Sequence, residues 1–117
     1  MKRDIELIKE ILTALDESDN DLPKVNFNLQ GRSDLEVSYH IKLLMQAGLI
    51  EAENVSGTNH YKWIPISITW HGHEFLDAIK NDTVWQKLKA KLSEQSGHIP
   101  FQVLKEMATV YARDIFI

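Results

Sequence analysis

The segment from Ser33 to Glu53 constrains the fold most, because a helix and a strand are written back to back in it with one glycine between them. Ser33 and Glu36 stand three apart, the pattern in which each satisfies a free backbone N–H of the other at a helix start. Val37, Ile41, Leu44 and Ala47 follow at helical spacing. Gly48 then suits the left-handed turn that ends a helix. Leu49 to Glu53 reads as a strand, Ser56-Gly57-Thr58-Asn59 as a turn, and Ile64, Ile66 and Ile68 as the returning strand. Pro65 lacks the donor that a central strand needs, so it predicts an edge or a bulge. The pair of strands is therefore a hairpin joined directly to a helix.

The flanks complete an ordered set of elements. Ile5, Ile8, Ile11, Leu12 and Leu15 form one apolar helical stripe over about residues 4 to 16, closed by an acidic loop and Pro23. Val25, Phe27 and Leu29 alternate with Asn26, Asn28 and Gln30, which predicts a short half-buried strand ending at Gly31. After the hairpin, Thr69 can cap a helix carrying Phe75, Leu76 and Ile79. The pattern from Thr83 to Gln86 opens another helix with Trp85, Leu88 and Leu92, broken at Ser96-Gly97. Pro100 suits the first turn of a last helix with the stripe Val103, Leu104, Met107, Ala108, Tyr111 and Ile115. The fold class expected is α+β, mostly α, in one domain with a core over about residues 4–80 and a C-terminal helical extension over about 82–117.

Charge limits the function classes. Residues 1–60 hold 6 Lys/Arg and 11 Asp/Glu, giving −5, and residues 61–117 hold 7 and 6, giving +1. A dedicated nucleic-acid binder ordinarily carries the opposite sign or a basic stripe. With no cysteine, thiolate metal sites, disulfides and thiol nucleophiles are excluded. No apolar run reaches the roughly 20 residues that span a bilayer, and a reducing cytoplasm is the expected compartment. There is no Gly-rich phosphate loop, no nucleophile elbow and no carboxylate pair in an apolar context, so no catalytic residue and no cofactor is expected. His71 and His73 are two apart, which places them on different sides of a helix rather than side by side as metal ligands, so no metal site is expected either.

The stretch SDLEVSYHIKLLMQAGLI, Ser33 to Ile50, resembles the recognition helix and following strand of bacterial winged helix-turn-helix repressors, with Ser33, Val37, Ser38, His40, Leu44, Ala47, Gly48 and Leu49 on the matching positions. Ile68 to Leu76 resembles the step that leads from the wing into the next helix in those proteins. Across nearly its whole length the chain is similar to a domain-of-unknown-function family of bacterial and prophage proteins, through the opening MKRD, the central SYHIKLL and AGLIEA, and ITWHGHEFLDAI followed by DTVW. The resemblance implies a winged helix-turn-helix with a reduced helix 2, since Val25 to Arg32 reads as strand and turn, and with additional C-terminal helices. It implies a non-enzymatic regulator that binds double-stranded DNA.

With Val37, Ile41 and Leu44 inward, Ser38, Tyr39, Lys42 and Gln46 are expected to point outward toward a major groove. Asn59, His60 and Lys62 on the wing would meet the flanking backbone. His40 is expected to pack or cap a helix rather than read a base. Trp63, Trp70, Trp85, Tyr61 and Tyr111 fit core or interface packing better than a base-stacking surface. The wide apolar stripe of the last helix and the terminal Ile115-Phe116-Ile117 predict docking on the core or a homodimer through the C-terminal helices. The alternative function is a winged helix that serves as a protein–protein interaction module, with the acidic N-terminal half as docking face and no DNA bound.

Overall fold

The computed structural model describes residues 2–95 and 99–116 of the 117. In chain order it comprises α1 (Ile5–Asp16), α2 (Asp34–Gln46), β1 (Ile50–Asn54), β2 (Trp63–Ile68), α3 (Trp70–Lys80), α4 (Asp82–Glu94) and α5 (Phe101–Phe116). The architecture is α+β, with a two-stranded antiparallel sheet and a winged-helix-like order of elements. Two compact units are present, one reaching to His73 and one starting at Glu74, so the division falls inside α3.

In the first unit, Leu7, Ile8, Ile11 and Leu12 of α1 are sealed from solvent together with Val37, Ile41 and Leu44 of α2, Leu49, Ile50, and Ile64 of β2. The expected stripe of α1 is turned slightly, since Leu7 is fully buried and Ile5 only partly so. Ser33 and Glu36 form the reciprocal cap on α2. At the other end of α2 the Leu49 N–H bonds the Leu44 carbonyl and the Gly48 N–H bonds the Met45 carbonyl, a Schellman closure that needs the positive φ of 78° at Gly48. The chain is thereby turned straight into β1.

The hairpin pairs Ile50 with Ile68 and Glu51 with Ser67, then jumps a residue so that Ala52 faces Pro65. Ile66 is the extra residue of this bulge, next to the proline that cannot donate. The strict alternation expected for β2 is broken there, with Ile64 and Pro65 both buried.

The strand predicted over Val25–Leu29 does not form. Phe27 N–H closes a turn on the Lys24 carbonyl, Asn28 bonds the Asn26 carbonyl, and a second turn closes from Arg32 N–H to Leu29 at Gly31, whose φ is 81°. What remains of strand pairing is one bond, from Lys24 N–H to the Pro65 carbonyl at 2.9 Å. No helix replaces the strand between Glu17 and Ser33, so the reduction of helix 2 read from the sequence is present.

In the second unit, Leu76, Ile79, Val84, Leu88, Leu104 and Ala108 are sealed from solvent, and the Phe75 and Phe101 rings meet at 5.4 Å. Asn81, not Thr83, caps α4 by accepting from the Val84 N–H at 3.2 Å. The break expected at Ser96-Gly97 lies outside the described residues. On α5 only part of the predicted stripe is covered. Leu104 and Ala108 are buried, Met107 and Tyr111 half-buried, and Val103 and Ile115 exposed, as is Val110 outside the stripe; the docking predicted for the Phe116 side chain and Ile117 lies outside the described residues.

Candidate nucleic-acid interface

The seat of α2 is built from three polar anchors. Buried His40 accepts from the Asp4 backbone N–H through Nε2 at 2.8 Å and bonds the Glu36 carbonyl through Nδ1 at 2.7 Å. A backbone N–H can only donate and a carbonyl can only accept, so the ring must be neutral with its proton on Nδ1. This is the helix-packing role expected for His40. Arg32 donates to Asp4 at 2.8 Å and to Glu10, joining the loop before α2 to both ends of the first turns of α1.

Burial alone would raise the Asp4 carboxyl. The Arg32 hydrogen bond and charge, with the N–H groups of Leu7 and Glu6 at the helix start, outweigh it and hold Asp4 below its ordinary value. The Glu10 hydrogen bond, followed by Asp4, raises Arg32 in turn against its own desolvation.

The third anchor corrects the sequence reading of the interface. Ser38, expected to face outward, is buried, and its hydroxyl accepts from the Trp63 N–H at 3.2 Å and reaches the Trp63 carbonyl at 3.5 Å. A buried hydroxyl so engaged joins α2 to the start of β2 and has nothing left to offer a base.

The other predicted residues are at or near the surface. Tyr39 is half-buried with its ring edge against His40 at 5.6 Å, Lys42 is half-buried, and Gln46 is exposed. Together with Leu35, which is 52% exposed, they stand at positions i, i+4, i+7 and i+11, one continuous side of α2. Leu35 was not singled out from the sequence, although its four-residue spacing from Tyr39 was there to read.

On the wing, Gly57 and His60 bridge so that Thr58 and Asn59 form the tip, and Ser56 Oγ holds both the N–H and the carbonyl of Lys62. Asn59 and His60 are exposed and Lys62 half-buried. The Ser38–Trp63 joint brings Lys62, next in chain to Trp63, and Lys42, one turn beyond Ser38, to the same helix–hairpin junction. Asp34 at the start of α2 and Glu51 and Glu53 on β1 are exposed as well.

Two other features carry less chemistry. His71 and His73 are both exposed, His73 lies 3.5 Å from Asp16, and no group of three or more metal-ligating side chains occurs among the described residues. A groove along α1, lined by Glu6, Lys9, Glu10, Thr13 and Leu29, is open and mixed in charge. Among the described residues, no helix is long and apolar enough to cross a membrane.

The elements therefore define an α+β protein with a winged-helix-like arrangement: a capped helix, a hairpin fixed to it and a helical C-terminal unit. Residues 2–98 match the family described as "Hypothetical protein (DUF2513)", and the chain belongs to that family. It is similar to an uncharacterised protein of Haemophilus influenzae, with 41% identity covering 92% of each chain. No solved structure matches it.

Proposed function

We propose that this protein is a winged-helix DNA-binding regulator without enzymatic activity, acting in the cytoplasm and associated with prophage genomes. The observation that supports this reading best is the uncovered side of α2, held by the Ser38–Trp63 joint beside a hairpin whose tip projects into solvent. Tyr39, Lys42 and Gln46 enter the major groove, and Asn59, His60 and Lys62 meet the backbone beside it. Ser38 acts only by fixing the angle between helix and wing. The exposed α5 side chains Val103 and Val110 give the protein a face on which to form a homodimer.

Lys42 is the most informative position to change. Its side chain is not part of the sealed core, so Lys42→Glu leaves the unfolding midpoint unchanged and reverses the charge at this point of α2. On this reading the variant loses measurable binding to mixed duplex DNA at low salt, followed by fluorescence anisotropy. Binding equal to that of the parent removes α2 as the contact.

A further inference from the structure

The most exposed large apolar side chains among the described residues are Trp70, Leu22 and Val25, at 77%, 66% and 63%. All three belong to the first unit, and polar contacts tie the segments that carry them to one another. The end of α1 and the loop after it are each tied down. Asp16 lies 3.5 Å from His73, one turn beyond Trp70 on α3. Further along, Lys24 N–H bonds the Pro65 carbonyl at 2.9 Å and its ammonium bonds the Ile66 carbonyl at 2.7 Å, which sets Leu22 and Val25 along the outer edge of β2. Trp70 follows two residues after the end of β2.

A tryptophan left in water at the first position of a helix contributes nothing to the core, and the helix start does not need it, because Thr69 Oγ1 already caps Gly72 N–H at 3.1 Å. Exposed apolar residues gathered on one surface are the mark of an interaction site, and tryptophan is the commonest energetic anchor of such sites. The charge around them selects the partner. Asp16, Glu17, Asp19 and Asp21 bring four carboxylates in six residues, against the single ammonium of Lys24, which is spent on the carbonyls of Asn20, Leu22 and Ile66. Phosphates are repelled there, and a second copy would set the same acidic rim against itself.

We propose that Trp70, Leu22 and Val25 form a docking site for a basic amphipathic segment of a partner protein, with Asp19 and Asp21 steering its cations. This surface stands independently of the DNA reading, since it uses none of the α2 or wing residues. The test is a labelled leucine–lysine peptide with leucines at helical spacing, titrated by anisotropy against the full chain, beside a counterpart with glutamate in place of lysine. The lysine peptide binds saturably and the glutamate peptide does not. Trp70→Ala weakens binding about tenfold or more, and Leu22→Asp or the pair Asp19→Lys and Asp21→Lys weakens it as well, each with an unchanged unfolding midpoint. Equal binding of the two peptides, no binding of the lysine peptide, or no effect of Trp70→Ala and Leu22→Asp overturns the proposal. Sedimentation showing self-association lost in Trp70→Ala overturns it in favour of a second copy.

Discussion

Replacing Gly72 with alanine sets two known effects against each other. In a helix interior alanine is favoured over glycine by about 0.8–1 kcal/mol, and Gly72 lies in the first turn of α3. Propensity alone therefore predicts a more stable protein. The packing predicts the reverse, because a Cβ there would collide with the Leu49 carbonyl oxygen and stand 2.6 Å from Ile68 Cγ1.

A backbone carbonyl cannot rotate aside as a side-chain end can. Relief requires α3 to move away from the turn that closes α2. That movement strains the bonds from Thr69 N–H to Leu49 at 3.0 Å and from Thr69 Oγ1 to Gly48 at 2.7 Å. Overpacking costs about 1–3 kcal/mol, and a weakened hydrogen bond about 1 kcal/mol. After the propensity gain the net loss is about 2 kcal/mol, or a melting temperature lower by roughly 8 °C at this chain length. Urea unfolding followed by tryptophan emission and by circular dichroism together reports the change and reveals whether the two units unfold as one. A Gly72→Ala protein as stable as the parent, or more stable, refutes the close approach of α3 to the α2–β1 turn.

Other changes read separate parts of the account. Ser33→Ala removes the cap on α2 and lowers stability by about 1 kcal/mol in urea unfolding. Ser38→Ala leaves the Trp63 N–H without its partner and costs about 1–3 kcal/mol, whereas a solvent-facing serine on a helix would cost almost nothing. Asp4 titrates lower in the folded chain than its ordinary value of 3.8, so its contribution is complete above that value and disappears as pH falls through the lower folded value. Asp4→Asn therefore flattens the acid limb of the stability curve below about pH 4, measured by urea midpoints across pH.

The parts of this fold legible in the sequence are those fixed by neighbours a few residues apart. The reciprocal cap of Ser33 and Glu36, the stop at Gly48 and the hairpin turn are each decided within one or two turns of chain, and all stand where the pattern puts them. Val25–Leu29 failed because alternation makes a strand only when an edge is available to pair with. The edge of β2 is occupied there by Lys24, and Asn26 and Asn28 favour turns.

Start sites of helices were less legible than their existence. Asn81 and Thr83 are both capping residues two apart, and α4 begins at the earlier one. Of the candidate interface, the outward Lys42, Gln46 and wing-tip residues follow from periodicity and turn position. Ser38 does not, because a small hydroxyl at the margin of the apolar stripe faces inward or outward according to whether a backbone group awaits it, and Trp63 comes 25 residues later. Trp70 departs in the opposite direction, outward. Of the core or interface packing expected for it, the core half is excluded, since Thr69 and Gly72 close the start of α3 against the α2–β1 turn and leave Trp70 in solvent.

The central claim, DNA binding through α2 and the wing, is tested most directly by the salt dependence of affinity for mixed duplex DNA. Each phosphate contact contributes about 0.9 to the negative slope of log affinity against log salt. Two principal cations, Lys42 and Lys62, predict a shallow slope of roughly −2 per chain. Weak binding at low salt with a slope near that value supports the account, and no affinity for duplex DNA even at the lowest salt contradicts it.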